Sequence, residues 1–120
     1  MKQTDLRIGN LLMWEDESKE IVSITEILKR ENYYSISFEG GCAQLDEFIP
    51  IPLTEEWLIE FGFIKTSDEF NYEKEYQLGD FYIRENKDSN IYYYEDTPLQ
   101  YVHIIQNLYF ALKNKELKLK

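Results

Sequence analysis

The feature that most narrows the folds open to this chain is a period of two in its apolar residues, interrupted every few positions by turn-formers. From Tyr33 to Phe38, Tyr34, Ile36 and Phe38 alternate with Tyr33, Ser35 and Ser37, which places one apolar set on a single face of an extended strand. Lys19 to Leu28 carries Val22 and Ile24 in alternation and then Ile27; its β-branched residues predict a half-buried strand rather than a helix. Ile8-Gly9-Asn10 marks a turn between Leu6-Arg7-Ile8 and Leu11-Leu12-Met13-Trp14, and Glu15-Asp16-Glu17-Ser18 is a polar break. Gly40-Gly41 supplies the positive φ for a tight turn into Cys42-Ala43-Gln44-Leu45. Several short strands before Phe48 predict a small curled antiparallel sheet or an SH3-like barrel.

Phe48-Ile49-Pro50-Ile51-Pro52-Leu53 is apolar but holds two prolines, so it reads as an extended connector lying on the core. The expected division falls there, with a small β subdomain over 1–49 and an α-β-β-β-α subdomain over 50–120, packed as one unit. Thr54 is a good helix cap, Glu55 and Glu56 oppose the positive helix end, and Gly62 suits the position past the end of a two-turn helix. Tyr72 to Leu78, Phe81 to Arg84 and Ile91 to Tyr94 read as a three-stranded antiparallel meander, with Asn86-Lys87-Asp88-Ser89-Asn90 as a hairpin turn. Thr97-Pro98 reads as a helix start. From Leu99 to Leu112, Tyr101, Ile104, Ile105, Leu108, Tyr109 and Leu112 recur at helical spacing. Asn114 can close that long C-terminal helix in a left-handed conformation, and Glu116 to Lys120 could add a short edge strand. The fold class expected is therefore α+β.

Composition supports a folded body, with 43% hydrophobic and 16% aromatic residues. The formal charge is -10, which opposes direct binding to nucleic acid or to acidic membranes, since neutralising phosphates takes clustered Lys and Arg. The charge is uneven. Residues 113–120 hold four Lys and one Glu, a tail of +3, whereas residues 1–112 hold nine bases and twenty-two acids, a body of -13. No Lys or Arg occurs between Glu31 and Ile64. The single Cys42 cannot make an internal disulfide and fits a reducing cytoplasm; the charged N-terminus does not read as a signal peptide.

Chemistry-bearing residues are few. His103 is the lone histidine, which excludes a two-histidine zinc site and leaves a hydrogen-bonded packing residue as the expected role. Cys42 is expected to be a buried small side chain in a strand. Phosphate-loop, dinucleotide and nucleophile-elbow motifs are missing. The adjacent acids Asp46-Glu47, Glu55-Glu56, Asp68-Glu69 and Glu95-Asp96 point apart on a helix or strand, so each pair reads as solvated surface. The 86–90 loop lacks the spacing of a calcium loop. In Tyr92-Tyr93-Tyr94, either Tyr93 faces inward and its neighbours outward, or the reverse; outward tyrosines are ordinary strand formers that also suit protein interfaces.

Three segments carry a resemblance: Asp5-Leu6-Arg7-Ile8-Gly9-Asn10; Ile51-Pro52-Leu53-Thr54-Glu55-Glu56-Trp57-Leu58 with Phe61-Gly62-Phe63; and Tyr101-Val102-His103 with Gln106-Asn107-Leu108-Tyr109-Phe110-Ala111-Leu112. Together they resemble a family of small uncharacterised proteins from Bacteroidetes genomes, their prophages and mobile elements. Where that family commonly has a Gly after the last helix, this chain has Lys113-Asn114, and Asn accepts the same turn. The resemblance implies bacterial or phage origin and a cytoplasmic accessory role; it implies no catalytic residue and no cofactor.

The function expected is a non-catalytic interaction module that meets a protein with a basic surface, through Glu39, Asp46, Glu47, Glu55, Glu56, Glu60, Tyr92 and Tyr94. The alternatives are an acidic nucleic-acid mimic that occupies a DNA-binding protein, and an enzyme combining carboxylates with His103. No metal or cofactor is called for, and oligomeric state is left open.

Overall fold

The computed structural model describes residues 1–67, 73–86 and 88–120. Asp68-Glu69, Tyr72 and Lys87, which figured in the strand, acid-pair and turn expectations, lie outside the described residues. The fold is not α+β with an SH3-like barrel. The described chain is predominantly antiparallel β, eleven strands in three sheets, with one six-residue helix and one twelve-residue helix, and no sheet closes into a barrel.

The N-terminal strands form two small sheets. In the first, β1 (Leu11–Trp14) lies between β2 (Ile21–Ser23) and β6 (Phe48–Ile49); in the second, β4 (Tyr34–Phe38) lies between β3 (Glu26–Lys29) and β5 (Gly41–Gln44). What divides them is a switch of partners at two consecutive residues. Ile24 N donates to Asn10 O at 2.9 Å, whereas Thr25 N donates to Ser37 O at 2.8 Å. The expected single strand from Lys19 to Leu28 is therefore two strands in different sheets, and the barrel cannot close. Gly40 turns β4 into β5 with φ 98, the conformation a side chain disfavours. The connector begins later than expected, because Phe48 and Ile49 pair with Trp14 and Met13.

The third sheet has the order β11-β10-β9-β8-β7, built from β7 (Ile64–Ser67), β8 (Glu73–Leu78), β9 (Phe81–Asn86), β10 (Ile91–Tyr94) and β11 (Thr97–Leu99). The expected meander is its centre, and β7 and β11 extend it at the two edges. Thr97-Pro98 is strand, not helix start: Pro98 pairs with Tyr93 on an edge strand, where a missing N–H is tolerated. α1 (Glu55–Glu60) starts as expected, with Thr54 Oγ1 accepting from Trp57 N at 3.4 Å. α2 (Val102–Lys113) starts three residues later than its apolar period suggests. Its first N–H is met by the connector backbone, Val102 N to Ile51 O at 2.8 Å, in place of a capping side chain. It ends at Asn114, φ 55 and ψ 32, as expected. The tail adds no strand. It folds back, with Leu117 buried and Lys120 N donating to Glu60 O.

Two hydrophobic clusters result. Leu6, Leu12, Ile24, Ile36 and Phe48 form one; the larger gathers Leu58, Phe61, Phe63, Tyr76, Phe81, Ile83, Leu99, Val102 and Ile105 with their neighbours. β1 serves both because its side chains alternate: Leu12 lies in the first cluster, and Leu11 and Met13 pack against the second.

Candidate functional site

The acids singled out from sequence stand as follows. Glu39, Asp46, Glu47, Glu56 and Glu60 are exposed and Glu55 is half-buried. Glu39 sits in the turn after β4, and Asp46 and Glu47 in a short 3₁₀ turn (Leu45–Glu47) where Glu47 Oε2 accepts from Gln44 N at 2.8 Å. Glu55 is tied inward: its Oε1 accepts from the Tyr76 hydroxyl at 3.0 Å and lies 3.7 Å from Lys65 Nζ. Glu39, Asp46, Glu56 and Glu60 have no ion pair among the described residues, so their charges face water uncompensated.

Of the two candidate tyrosines, one is buried and the other half-buried. Tyr92 stands opposite Glu85 on β9 and Leu99 on β11, both buried, so it shares their inward face and is itself buried. Tyr94 is half-buried, its ring stacked on Phe81 at 4.7 Å between centroids. Both rings are spent on packing. Cys42, expected inside, is exposed; β5 is the edge of its sheet, and the residue covered there is Ala43, on the opposite face.

A buried polar cluster not foreseen from sequence lies under α1. Glu85 is buried, and the Tyr76 hydroxyl is within 3.3 Å of its Oε1 as well as 3.0 Å from Glu55. One phenolic proton faces two carboxylates, with Lys74 Nζ 4.0 Å from Glu85. Burial raises the Tyr76 pKa, helped by the hydrogen bond to Glu55 and the charge of Glu85; burial and the same two acids raise that of Tyr92. Both phenols therefore stay protonated, and Tyr76 donates across to Glu55, pinning α1 to the sheet. The signal was present in the sequence, since the period of two in Phe81, Ile83 and Glu85 puts Glu85 on the inward face.

His103 is only 3% exposed, and its Nδ1 has no hydrogen-bond partner, which corrects the expectation of a hydrogen-bonded histidine. Tyr101 stacks on its ring at 5.9 Å. The imidazole lines a pocket of about 350 Å³ with Asp5, Pro50, Pro98 and Gln100. Burial lowers its pKa, the Asp5 charge opposes that shift, and the N-terminal amino group adds to it. The neutral ring has no carboxylate bonded to it, and the Glu55 and Glu85 carboxylates gather at Tyr76 instead. No triad-like relay is built here. Among the described residues, no three His, Cys, Asp or Glu side chains are placed to hold a metal ion.

The opening segment and α2 are joined by a dense polar network. Asn10, fully buried, accepts from Arg7 N at 2.7 Å and donates from Nδ2 to Asn107 Oδ1 at 2.8 Å. Asn107 Nδ2 donates to Asp5 O at 2.8 Å, and Gln106 donates to Gly9 O and accepts from Leu11 N. Arg7 pairs with Glu116 and lies 3.9 Å over the Phe110 ring. Every one of these groups is satisfied within the chain, which marks the network as structural.

Two surface grooves remain on the N-terminal sheets. One, of about 420 Å³, is lined by Tyr33, Tyr34, Asp46 and Phe48; Lys29 stands opposite Tyr34 in register and Arg30 N bonds to Tyr33 O, so that end carries both signs of charge. The other, of about 680 Å³, is lined by Ile21, Val22, Ser23, Thr25, Phe38 and Glu39. No protein-family model, curated protein or solved structure matches this chain. Among the described residues, no helix is long and apolar enough to cross a membrane.

Proposed function

We propose that this chain is a non-catalytic interaction module whose partner is a protein with a basic surface. The observation that carries the reading is the set of exposed acids Glu39, Asp46, Glu56 and Glu60, none of them ion-paired among the described residues, in a stretch without Lys or Arg. Such charges raise the local concentration of a cationic partner and speed its encounter. The nucleic-acid mimic is less favoured, because Glu47 and Glu55 turn their carboxylates to the chain itself and interrupt a phosphate-like path. The enzyme reading is less favoured: Asp5 shares the pocket of His103 without bonding to the imidazole, and Glu55 and Glu85 gather at Tyr76. The lone exposed thiol of Cys42 suits a reducing cytoplasm, and bacterial or phage origin rests on the resemblance.

The test compares the wild-type protein with a Glu39→Lys, Asp46→Lys, Glu56→Lys, Glu60→Lys variant as immobilised baits in cell lysate at physiological salt. A basic protein retained by the first and lost by the second is the expected result. Retention of nothing, or equal retention by both, overturns the reading.

A further inference from the structure

The wider groove is where the two N-terminal sheets part. β2 is the outer strand of its sheet. The bonds Trp14 N to Glu20 O and Ile24 N to Asn10 O show which residues of this strand face β1. With Leu12 opposite Val22, the even-numbered residues bond inward, and strand geometry turns the N–H and C=O groups of Ile21 and Ser23 outward. They have no partner among the described residues. Across the groove β4 ends at Phe38, which pairs with Gly41 of β5, and the chain that bonds Ser37 leaves for β2 at Ile24. One open backbone edge, that of β2, therefore borders the groove, with Phe38 as its apolar wall and Ile21, 41% exposed, at its rim.

Glu39 lines this groove, Glu20 precedes β2, and Glu26 stands opposite Ser37. All three are exposed; Lys19 adjoins Glu20 in sequence, Lys29 closes the strand that Glu26 opens, and Lys118 lines a separate groove with Ser23. A second copy of this chain would bring net negative charge to an acidic edge. We infer that the groove takes an extended basic segment of the partner protein, added as a further β-strand along Ile21–Ser23. Main-chain bonds to Ile21 and Ser23 give the affinity, and Lys or Arg side chains meeting Glu20 and Glu39 select the sequence. This rests on the basic-partner reading and adds its mode of binding.

The probe is an acetylated, amidated octapeptide of alternating Lys and Val, titrated into the isotope-labelled full chain while backbone amide shifts and amide exchange are followed. The Ile21, Ser23 and Glu39 amides are expected to shift, and the outward Ile21 and Ser23 amides to become protected from exchange. Ser23→Pro removes an outward N–H but none of the bonds between β1 and β2, so it should keep the native spectrum and weaken binding at least about tenfold. Ile21→Lys, a surface change that leaves the backbone free, should weaken it as well and serves if the proline variant fails to fold. Shifts confined to Tyr33, Tyr34 and Asp46 would overturn the groove while leaving the basic partner standing. No shift at millimolar peptide would also overturn it, whatever the lysate experiment returns. Shifts at Ile21 and Ser23 that grow with protein concentration without peptide would replace the partner strand by a second copy.

Discussion

The two hydrophobic clusters differ in more than size. The C-terminal one is covered by a five-stranded sheet, α1, α2 and the returning tail, whereas the N-terminal one is held between two three-stranded sheets that part at Ile24-Thr25. Aromatic packing follows the same division: Trp14, Phe38 and Phe48 cluster in the small core, while Phe63, Phe81, Tyr94 and Tyr109 link sheet to helix in the large one. The lesson is a division of labour. One end spends its apolar residues on a closed core, with Glu56 and Glu60 on the outside of α1, and the other leaves the β2 edge, two grooves and the acids Glu39 and Asp46 at the surface.

The sharpest way to break this comparison is to cut a hole in each core. Phe81 is 1% exposed and touches Phe63, Tyr94 and Tyr109, so Phe81→Ala should cost about 3–5 kcal/mol. Ile36, fully buried in the small cluster, should cost about 2–3 kcal/mol as Ile36→Ala, because a thinner cover relaxes into the cavity. Because β1 contributes to both clusters, urea titration should show one transition in each variant. A separate early transition for Ile36→Ala would mean that the N-terminal sheets unfold alone.

A smaller effect should come from the network that fastens the two ends. Asn107→Ala leaves the buried Nδ2 of Asn10 without an acceptor and removes one from Arg7. The expected loss is about 1–3 kcal/mol, with faster amide exchange at the backbone of residues 9–11. Unchanged exchange there would mean that the joint is carried by the apolar contacts of β1 alone. The same network joins three segments that lie far apart in sequence. Asp5 to Asn10, Ile51 to Leu53, and Tyr101 to Asn107 meet at one seam, through Asn107, Gln106 and the bonds of Ile51 and Leu53 to Val102 and Gln100.

Much of the strand pattern was legible because period-two alternation and glycine turns act locally. Tyr34 to Phe38, the β8–β9 hairpin, the Thr54 cap and the Asn114 terminus all follow from residues within a few positions. What could not be read depends on distant partners. Val102 opens α2 because Ile51 O, fifty-one positions away, takes its N–H, so no capping side chain marks the start. Thr97-Pro98 carries a helix-start signal, but the pairing of Leu99 with Tyr92 overrides it. At the candidate surface, the exposure of Glu39 and Asp46 was readable from their turns. The inward face of Tyr92 was not, since its register on Glu85 and Leu99 decides it.

Acid should probe the first turn of α2 through His103. Burial holds its folded pKa below the ordinary value of 6.5, so as pH falls the unfolded chain takes up the proton first. Its contribution is complete above about pH 6.5 and is lost as pH drops toward the folded pKa. His103→Phe keeps a ring in place and removes both the unpartnered Nδ1 and the titration. It should match the wild type near neutrality and lose less stability between about pH 6.5 and 5. Equal acid sensitivity of the two proteins would place the titration in other groups.

The smallest effect tests the open end of the molecule. Cys42 is exposed on the edge strand β5, and its side chain contributes nothing to the small cluster, whose covered neighbour on that strand is Ala43. Cys42→Ser should therefore leave the urea midpoint where it is. The informative measurement is kinetic: a thiol reagent should modify Cys42 in the folded protein at nearly the rate seen in denaturant, because no opening has to precede attack. Protection by a large factor would mean that the edge of β5 is covered in solution. That cover would have to be a second chain, so the protection would rise with protein concentration, and the division between a closed core and an open end would then hold only for the monomer.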